Sequence, residues 1–329
     1  MTALAPVLQA FFTQRLTALG ASPHTIASYR DTFRLLLRFT QQRTGITPSR
    51  LDLADVTPEL VIRFLDHLET DRGNSVGTRN VRLAAIHALF HDAALRCPEH
   101  AALIQQILAV PAKRRDKPTV AFLTQPEQDA LLAAPDRGRW HGRRDHLLLT
   151  VGLRTGLRLS ELASLTVGSI TLGTGAHVRC VGKGRRARAT PLTKDTAALI
   201  TAWLEEREQQ SDSEPLFPTI TGRPMSRDAI ELAVSRHVAT ATTQCPSLLN
   251  KHVTVHTLRH SCAMDLLQAG TDTSTIALWL GHADSRSTST YLHADLALKE
   301  KTLAKVAPTP QAAHRYQPAD PLLAFLESL

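Results

Sequence analysis

The sequence predicts a mainly helical chain of two domains: a helical domain, then a mixed α+β domain with a small antiparallel three-stranded sheet. Three observations lead there. Leu- and Ala-rich stretches with helical spacing dominate the chain, and β-branched strand-like residues gather only between about 165 and 192. A basic segment bracketed by Pro111 and Pro118 separates the two halves.

The first domain spans residues 1–110 and opens with an amphipathic helix at 7–19, stopped by Gly20. Ser22 and Pro23 supply an N-cap and an N1 proline for a second helix. That helix carries Ile26, Tyr29, Phe33, Leu36 and Leu37 at helical spacing, flanked by a stripe of Arg30, Arg34 and Arg38. Thr57-Pro58-Glu59 starts a third helix over 60–69, closed by Asp71-Arg72-Gly73. A fourth covers 75–94, with Val81, Ala85, Ala88 and Leu89 facing inward and Arg79 and Arg82 outward. Residues 111–118, with Lys113, Arg114 and Arg115, read as a basic linker; charge of this kind suits a phosphate backbone, and equally a solvated tether.

The second domain covers 119–307. Helices are expected at 126–133, at 143–155 up to Gly156, and at 160–164. Strands follow at 165–172, 177–181 and 187–192, the last two flanking Gly182-Lys183-Gly184-Arg185-Arg186. Helical pattern then returns at 194–208, 226–240, 257–269, 273–280 and 288–305. The tail, 308–329, has prolines at 310, 318 and 321 before the apolar Leu322-Leu323-Ala324-Phe325-Leu326, a pattern that suits docking on a neighbouring protomer.

Composition narrows the partners. With 329 residues, 43% hydrophobic and 21% charged, the chain has material for a real core. Lys and Arg outnumber Asp and Glu by 38 to 30, a surplus of +8 that suits a polyanion. The four cysteines lack a CxxC spacing, which argues against a zinc site or a disulfide framework and fits a reducing cytoplasm. No run approaches the roughly 20 apolar residues of a membrane span, so no membrane partner is expected.

Four short segments carry chemistry: Thr155–Leu162, Val181–Gly184, His256–His260, and Leu280-Gly281-His282 with Tyr291 nine residues beyond His282. Each alone has a plainer explanation. Arg158 and Glu161 suit a local ion pair, Gly182-Lys183-Gly184 a hairpin tip, His256 and Arg259 a solvated helix face. Leu280-Gly281-His282 suits a helix C-cap, and Tyr291 a packing residue.

Together they form a kit for metal-free attack on a phosphodiester. Arginine forks pair with two phosphate oxygens and offset charge building in the transition state. A phenol of pKa about 10 needs activation to attack, and a departing alkoxide needs a proton donor.

The order Arg, Lys, His-x-x-Arg, His, Tyr in these contexts resembles the tyrosine recombinases of the phage integrase family. The segment from Ser22 to Phe39 also resembles the start of that family's DNA core-binding domain. The resemblance implies that 1–110 is the core-binding domain and 119–307 the catalytic domain. It implies Tyr291 as nucleophile forming a 3′-phosphotyrosyl bond, with Arg158 and Arg259 clamping the phosphate. Lys183 would protonate the leaving oxygen, His256 assist proton transfer, His282 hydrogen-bond the phosphate, and Glu161 support Arg158. Double-stranded DNA with specific recombination sites, a homo- or hetero-tetramer, and no cofactor, metal or ATP complete the expectation. Arg30, Arg34, Arg79, Arg82, Lys113, Arg114 and Arg115 are candidate DNA contacts. The rival readings are type IB topoisomerase-like relaxation and a DNA-binding accessory protein without catalysis. A metal nuclease would need clustered carboxylates, and no Asp/Glu pair stands beside these boxes.

Overall fold

The computed structural model describes residues 2–114, 121–182, 187–207 and 211–281. The chain divides into two compact units, Met1–Lys117 and Pro118–Leu329.

The first unit is all helix: α1 (Leu4–Ala10), a π-turn (Phe11–Arg15), α2 (Leu16–Ala18), α3 (Pro23–Thr44), α4 (Pro58–Thr70), α5 (Val76–Arg96) and α6 (Ala101–Leu108). Side-chain oxygens of Ser22, Thr57 and Ser75 accept from Thr25, Leu60 and Thr78 N–H and seal the starts of α3, α4 and α5; Ser22 is the cap expected from the sequence. The core joins Phe33, Leu36 and Phe39 of α3 to Phe64 and Leu65 of α4, Ile86 and Phe90 of α5, and Ile104 and Ile107 of α6.

Three expectations fail here. The first helix starts earlier, at Leu4, and widens into the π-turn. Helix α6 was not anticipated, and its Ile104 and Ile107 are fully buried. In α5 the inward stripe includes Arg79, Leu83, Ile86 and Phe90, a three-to-four residue rhythm that turns Val81 out to solvent. Arg79, expected on the outer face, is 4% exposed and bonds to the Pro111 carbonyl and the Asn80 side chain, beside Glu69 at 3.3 Å.

The second unit is built around α8 (Trp140–Thr155), in which every residue from Leu147 to Leu153 is buried. A helix apolar on all sides belongs at the centre of a domain. Around it stand α7 (Gln125–Ala133), α9 (Leu159–Ala163), α10 (Lys194–Glu205), α11 (Arg227–Ala241), α12 (Val255–Gln268) and α13 (Thr273–Leu280). Gly152 lets α12 approach closely: a Cβ there would lie 3.2 Å from Leu258 Cδ1.

The sheet runs β1 (Ile170–Thr171), β2 (His177–Val181), β3 (Ala187–Pro191), all antiparallel. Val178 pairs with Thr190 and Cys180 with Arg188, which puts these four on the inward face. The first strand is shorter than the predicted 165–172. Ser169 Oγ accepts from Thr166 N–H, and Val167 and Gly168 N–H bond to Glu214 and Asp212 carbonyls, so that stretch turns instead of joining the ladder. Among the described residues no helix is long and apolar enough to cross a membrane.

Candidate active site

Two helix ends create the site. Helix α8 stops at Gly156 and α13 at Gly281, both in the left-handed region, at φ 62° and 64°. A β-carbon on Gly156 would fall 2.5 Å from Leu280 Cδ2, so any other residue where the two ends meet must displace that side chain and carry left-handed strain. The last carbonyls of a helix lack intrahelical donors and carry the negative pole of its dipole. Here they receive arginines.

Arg259 projects from α12 and is 2% exposed. Its Nη1 donates to the Gly156 carbonyl at 2.6 Å and its Nη2 to the Leu280 carbonyl at 2.7 Å. Arg158 is the N-cap residue of α9, two residues past Gly156. Its Nη2 donates to the Gly281 carbonyl at 2.9 Å, and its Nη1 to Glu161 Oε1 at 2.9 Å. Residues a hundred positions apart in sequence therefore place both guanidiniums at the junction of α8 and α13.

Glu161 is 3% exposed and ties the cluster together. Its Oε2 accepts the Arg158 backbone N–H at 2.7 Å, capping α9 as Arg158 is fixed. Both oxygens also accept from Arg188 of β3, each at 2.8 Å. Burial pushes the Glu161 carboxyl up, but the Arg188 hydrogen bonds, the Arg158 N–H and the two guanidinium charges outweigh it. The net result lies below the usual carboxylate value. The sequence reading missed Arg188. Its signal was faint: an arginine two residues from Thr190 on the inward side of a short strand.

His256 lies on the same face of α12 as Arg259 and is exposed, with its ring 4.1 Å from that of His260, edge to face. Partial desolvation, then the positive charges of Arg259 and Arg158, lower its pKa from 6.5. A neutral imidazole beside two arginines is suited to accept a proton.

Of the six expected catalytic residues, Arg158, His256 and Arg259 are described and come together, with the supporting Glu161; Lys183, His282 and Tyr291 lie outside the described residues. Among the described residues, no group of three or more His, Cys, Asp or Glu is arranged to hold a metal ion.

The residues expected to touch DNA divide. Arg30 and Arg34 are well exposed, each 3.7 Å from Asp31. Arg82 is half-buried and donates to the Ser28 carbonyl and Thr32 Oγ1, a tie between α5 and α3. Lys113 Nζ pairs with Glu69 at 2.8 Å, while Arg114 is exposed. Arg115 lies outside the described residues.

The second unit is thus a mainly helical α+β domain in which two arginines converge on the carbonyls at two helix ends. Comparison with known proteins makes the class specific. The model of the phage integrase family matches residues 121–297, and that of the phage integrase N-terminal SAM-like domain matches 8–96. The protein y4rC of Sinorhizobium fredii, provisionally named an integrase/recombinase, is 51% identical over 327 residues, 99% of this chain and 98% of its own. Tyrosine recombinase XerD of Staphylococcus aureus is 32% identical over 278 residues, covering 83% of this chain and 89% of XerD. In fold, the chain is similar to the XerH site-specific recombinase bound to its difH substrate, with a TM-score of 0.70 at 21% identity over 87% of this chain and 80% of that one. The Tn1549 transposon integrase in complex with transposon right end DNA gives the same TM-score, 0.70, at 18% identity, covering 94% and 100% of the two chains. The chain belongs to the phage integrase family of tyrosine recombinases.

Proposed function

We propose that this chain cuts and rejoins double-stranded DNA at specific recombination sites through a covalent 3′-phosphotyrosyl bond to Tyr291, in the service of a mobile element. The observation that carries this reading is the convergence of Arg158 and Arg259 on the carbonyls of Gly156, Leu280 and Gly281. Those bonds fix two guanidiniums next to the point where the chain continues into His282 and, nine residues on, Tyr291. Preorganised cations of this kind stabilise the charge that develops on a phosphate under attack.

The step balances without an added cofactor, metal or ATP. The Tyr291 oxygen forms a bond to phosphorus, the bond from phosphorus to the 5′ oxygen breaks, and the phenolic proton passes to the base. His256, held neutral in its cationic surroundings, takes that proton. Lys183, directly after Gly182 of the hairpin, protonates the leaving 5′ oxygen, and His282 hydrogen-bonds the phosphate. The phosphotyrosyl ester keeps the energy of the broken bond, so a 5′ hydroxyl from another duplex reverses the step.

Exchange between duplexes needs four such cleavages, hence a tetramer on DNA, and the apolar segment Leu322–Leu326 is our candidate for docking on the adjacent protomer. The mobile-element role draws on the extension beyond Pro308, which the y4rC similarity also takes in.

Incubation with a target duplex nicked near the cleavage point traps the intermediate. A covalent protein–DNA band on a denaturing gel, absent in Tyr291→Phe, is expected. Binding with no band on any bound site would leave a DNA-binding accessory protein, and supercoil relaxation without exchange products a topoisomerase-like enzyme.

A further inference from the structure

Arg188 has no place among the expected catalytic residues, yet it occupies the centre of the cluster. It stands on β3 opposite Cys180, and its side chain is 11% exposed. Its two terminal nitrogens chelate both oxygens of Glu161 at 2.8 Å, the fork-on-carboxylate geometry of a strong, directional pair. The guanidinium also runs beneath Gly281: a β-carbon there would lie 2.8 Å from Arg188 Nη1 and 3.0 Å from its Cδ. Gly281 is the residue whose carbonyl holds Arg158 Nη2. Arg188 thus touches both anchors of Arg158, the carboxylate on one side and the helix end on the other.

Charge makes the arrangement consequential. Arg158 and Glu161 alone would be a neutral pair, and a carboxylate bonded to an arginine offsets the charge that arginine can offer a phosphate. A second fork on the same carboxylate changes the sum. Arg158, Arg188 and Glu161 together carry +1, and Arg259 brings the pocket to +2.

We propose that Arg188 is a positioning residue of the phosphate clamp: by occupying both oxygens of Glu161 it prevents that carboxylate from quenching Arg158 and holds the Arg158 fork against the end of α13. The inference rests on the reading of the site as a DNA-cleaving centre. It also explains why an acidic residue sits inside a site meant for an anion. Glu161 is needed to cap α9 and orient Arg158, and Arg188 cancels its charge.

The test is single-turnover cleavage of a nicked target site, with equilibrium binding measured alongside and folding checked by circular dichroism. Arg188→Gln is expected to slow cleavage by about 100-fold, in the range seen when one charge-stabilising group is lost, with binding changed less than about threefold. Adding Glu161→Gln to Arg188→Gln removes the unbalanced carboxylate and is expected to restore at least about tenfold of the rate. Such suppression marks coupling through charge; a merely structural strut would make the double variant as slow or slower. Cleavage by Arg188→Gln within about threefold of the unmodified protein overturns the inference, as does a double variant no faster than the single one. If Arg188→Gln does not fold, Arg188→Lys carries the test. Lysine keeps the charge but cannot chelate both oxygens, so cleavage about tenfold slower supports the inference and an unchanged rate overturns it. Failure of the unmodified protein to form any adduct would sink the underlying reading, and this inference with it. A normal adduct with indifferent Arg188 variants sinks the inference alone.

Discussion

Arg259 shows what burial does to a charged side chain: at 2% exposure it persists because two carbonyls at helix ends take its donors. An isolated buried cation would cost several kcal/mol, and hydrogen bonds to oriented dipoles offset that. The same environment acts on His256 in the opposite sense, because neighbouring guanidiniums penalise its protonated form. A base with a lowered pKa stays neutral as pH falls through 6.5, and activity is lost only at a lower pH. Cleavage at limiting protein reports the free enzyme. Its acid limb is expected to have a midpoint below pH 6.5, and His256→Asn to abolish that limb. A midpoint above 6.5 would contradict the assignment of His256 as the proton acceptor.

At the scale of elements, the site depends on where helices stop. Gly156 and Gly281 end α8 and α13 with positive φ, and the carbonyls there and at Leu280 hold both arginines. Gly156→Ala combines left-handed strain with a β-carbon 2.5 Å from Leu280 Cδ2. Urea unfolding is expected to show a loss of about 2–3 kcal/mol, with slower cleavage as the Gly156 carbonyl shifts. An unchanged midpoint and rate would refute the role of that helix end. These ends were legible in the sequence, because glycine is the residue that most readily takes the left-handed conformation, and so was the cap at Ser22, whose short side-chain oxygen precedes an N1 proline. Strand β1 was not, since β-branched residues such as Thr166 and Val167 serve a capped turn as well as a ladder. Nor was the burial of Arg79, whose partner Glu69 comes from another helix. Arg188 was hidden for the same reason: its meaning lies in Glu161, 27 residues upstream and on a different element.

For the whole molecule, a net charge of +8 predicts DNA affinity that falls steeply with salt, as neutralised phosphates release counterions. Assembly beyond one protomer needs a different contact, and the apolar segment at the end of the chain is proposed to supply it. Deleting the residues after Ala307 is expected to abolish cooperative loading of several protomers on paired sites, seen as loss of the higher bands in a mobility shift. Binding by a single protomer should persist. Normal cooperative assembly by the truncated protein would exclude a docking role for the tail.

The chain has three tyrosines, Tyr29, Tyr291 and Tyr316, and the proposed chemistry needs one in particular. Tyr29 stacks on Phe11 at 6.1 Å in the first unit, as a packing residue should. The adduct trapped on a nicked duplex can be digested with nuclease and protease and its nucleotide-bearing peptide sequenced by mass spectrometry. A 3′-phosphonucleotide on Tyr291, and on no other residue, is the expected result. Modification at Tyr316 instead, or a cleaved duplex with no protein attached, would contradict it.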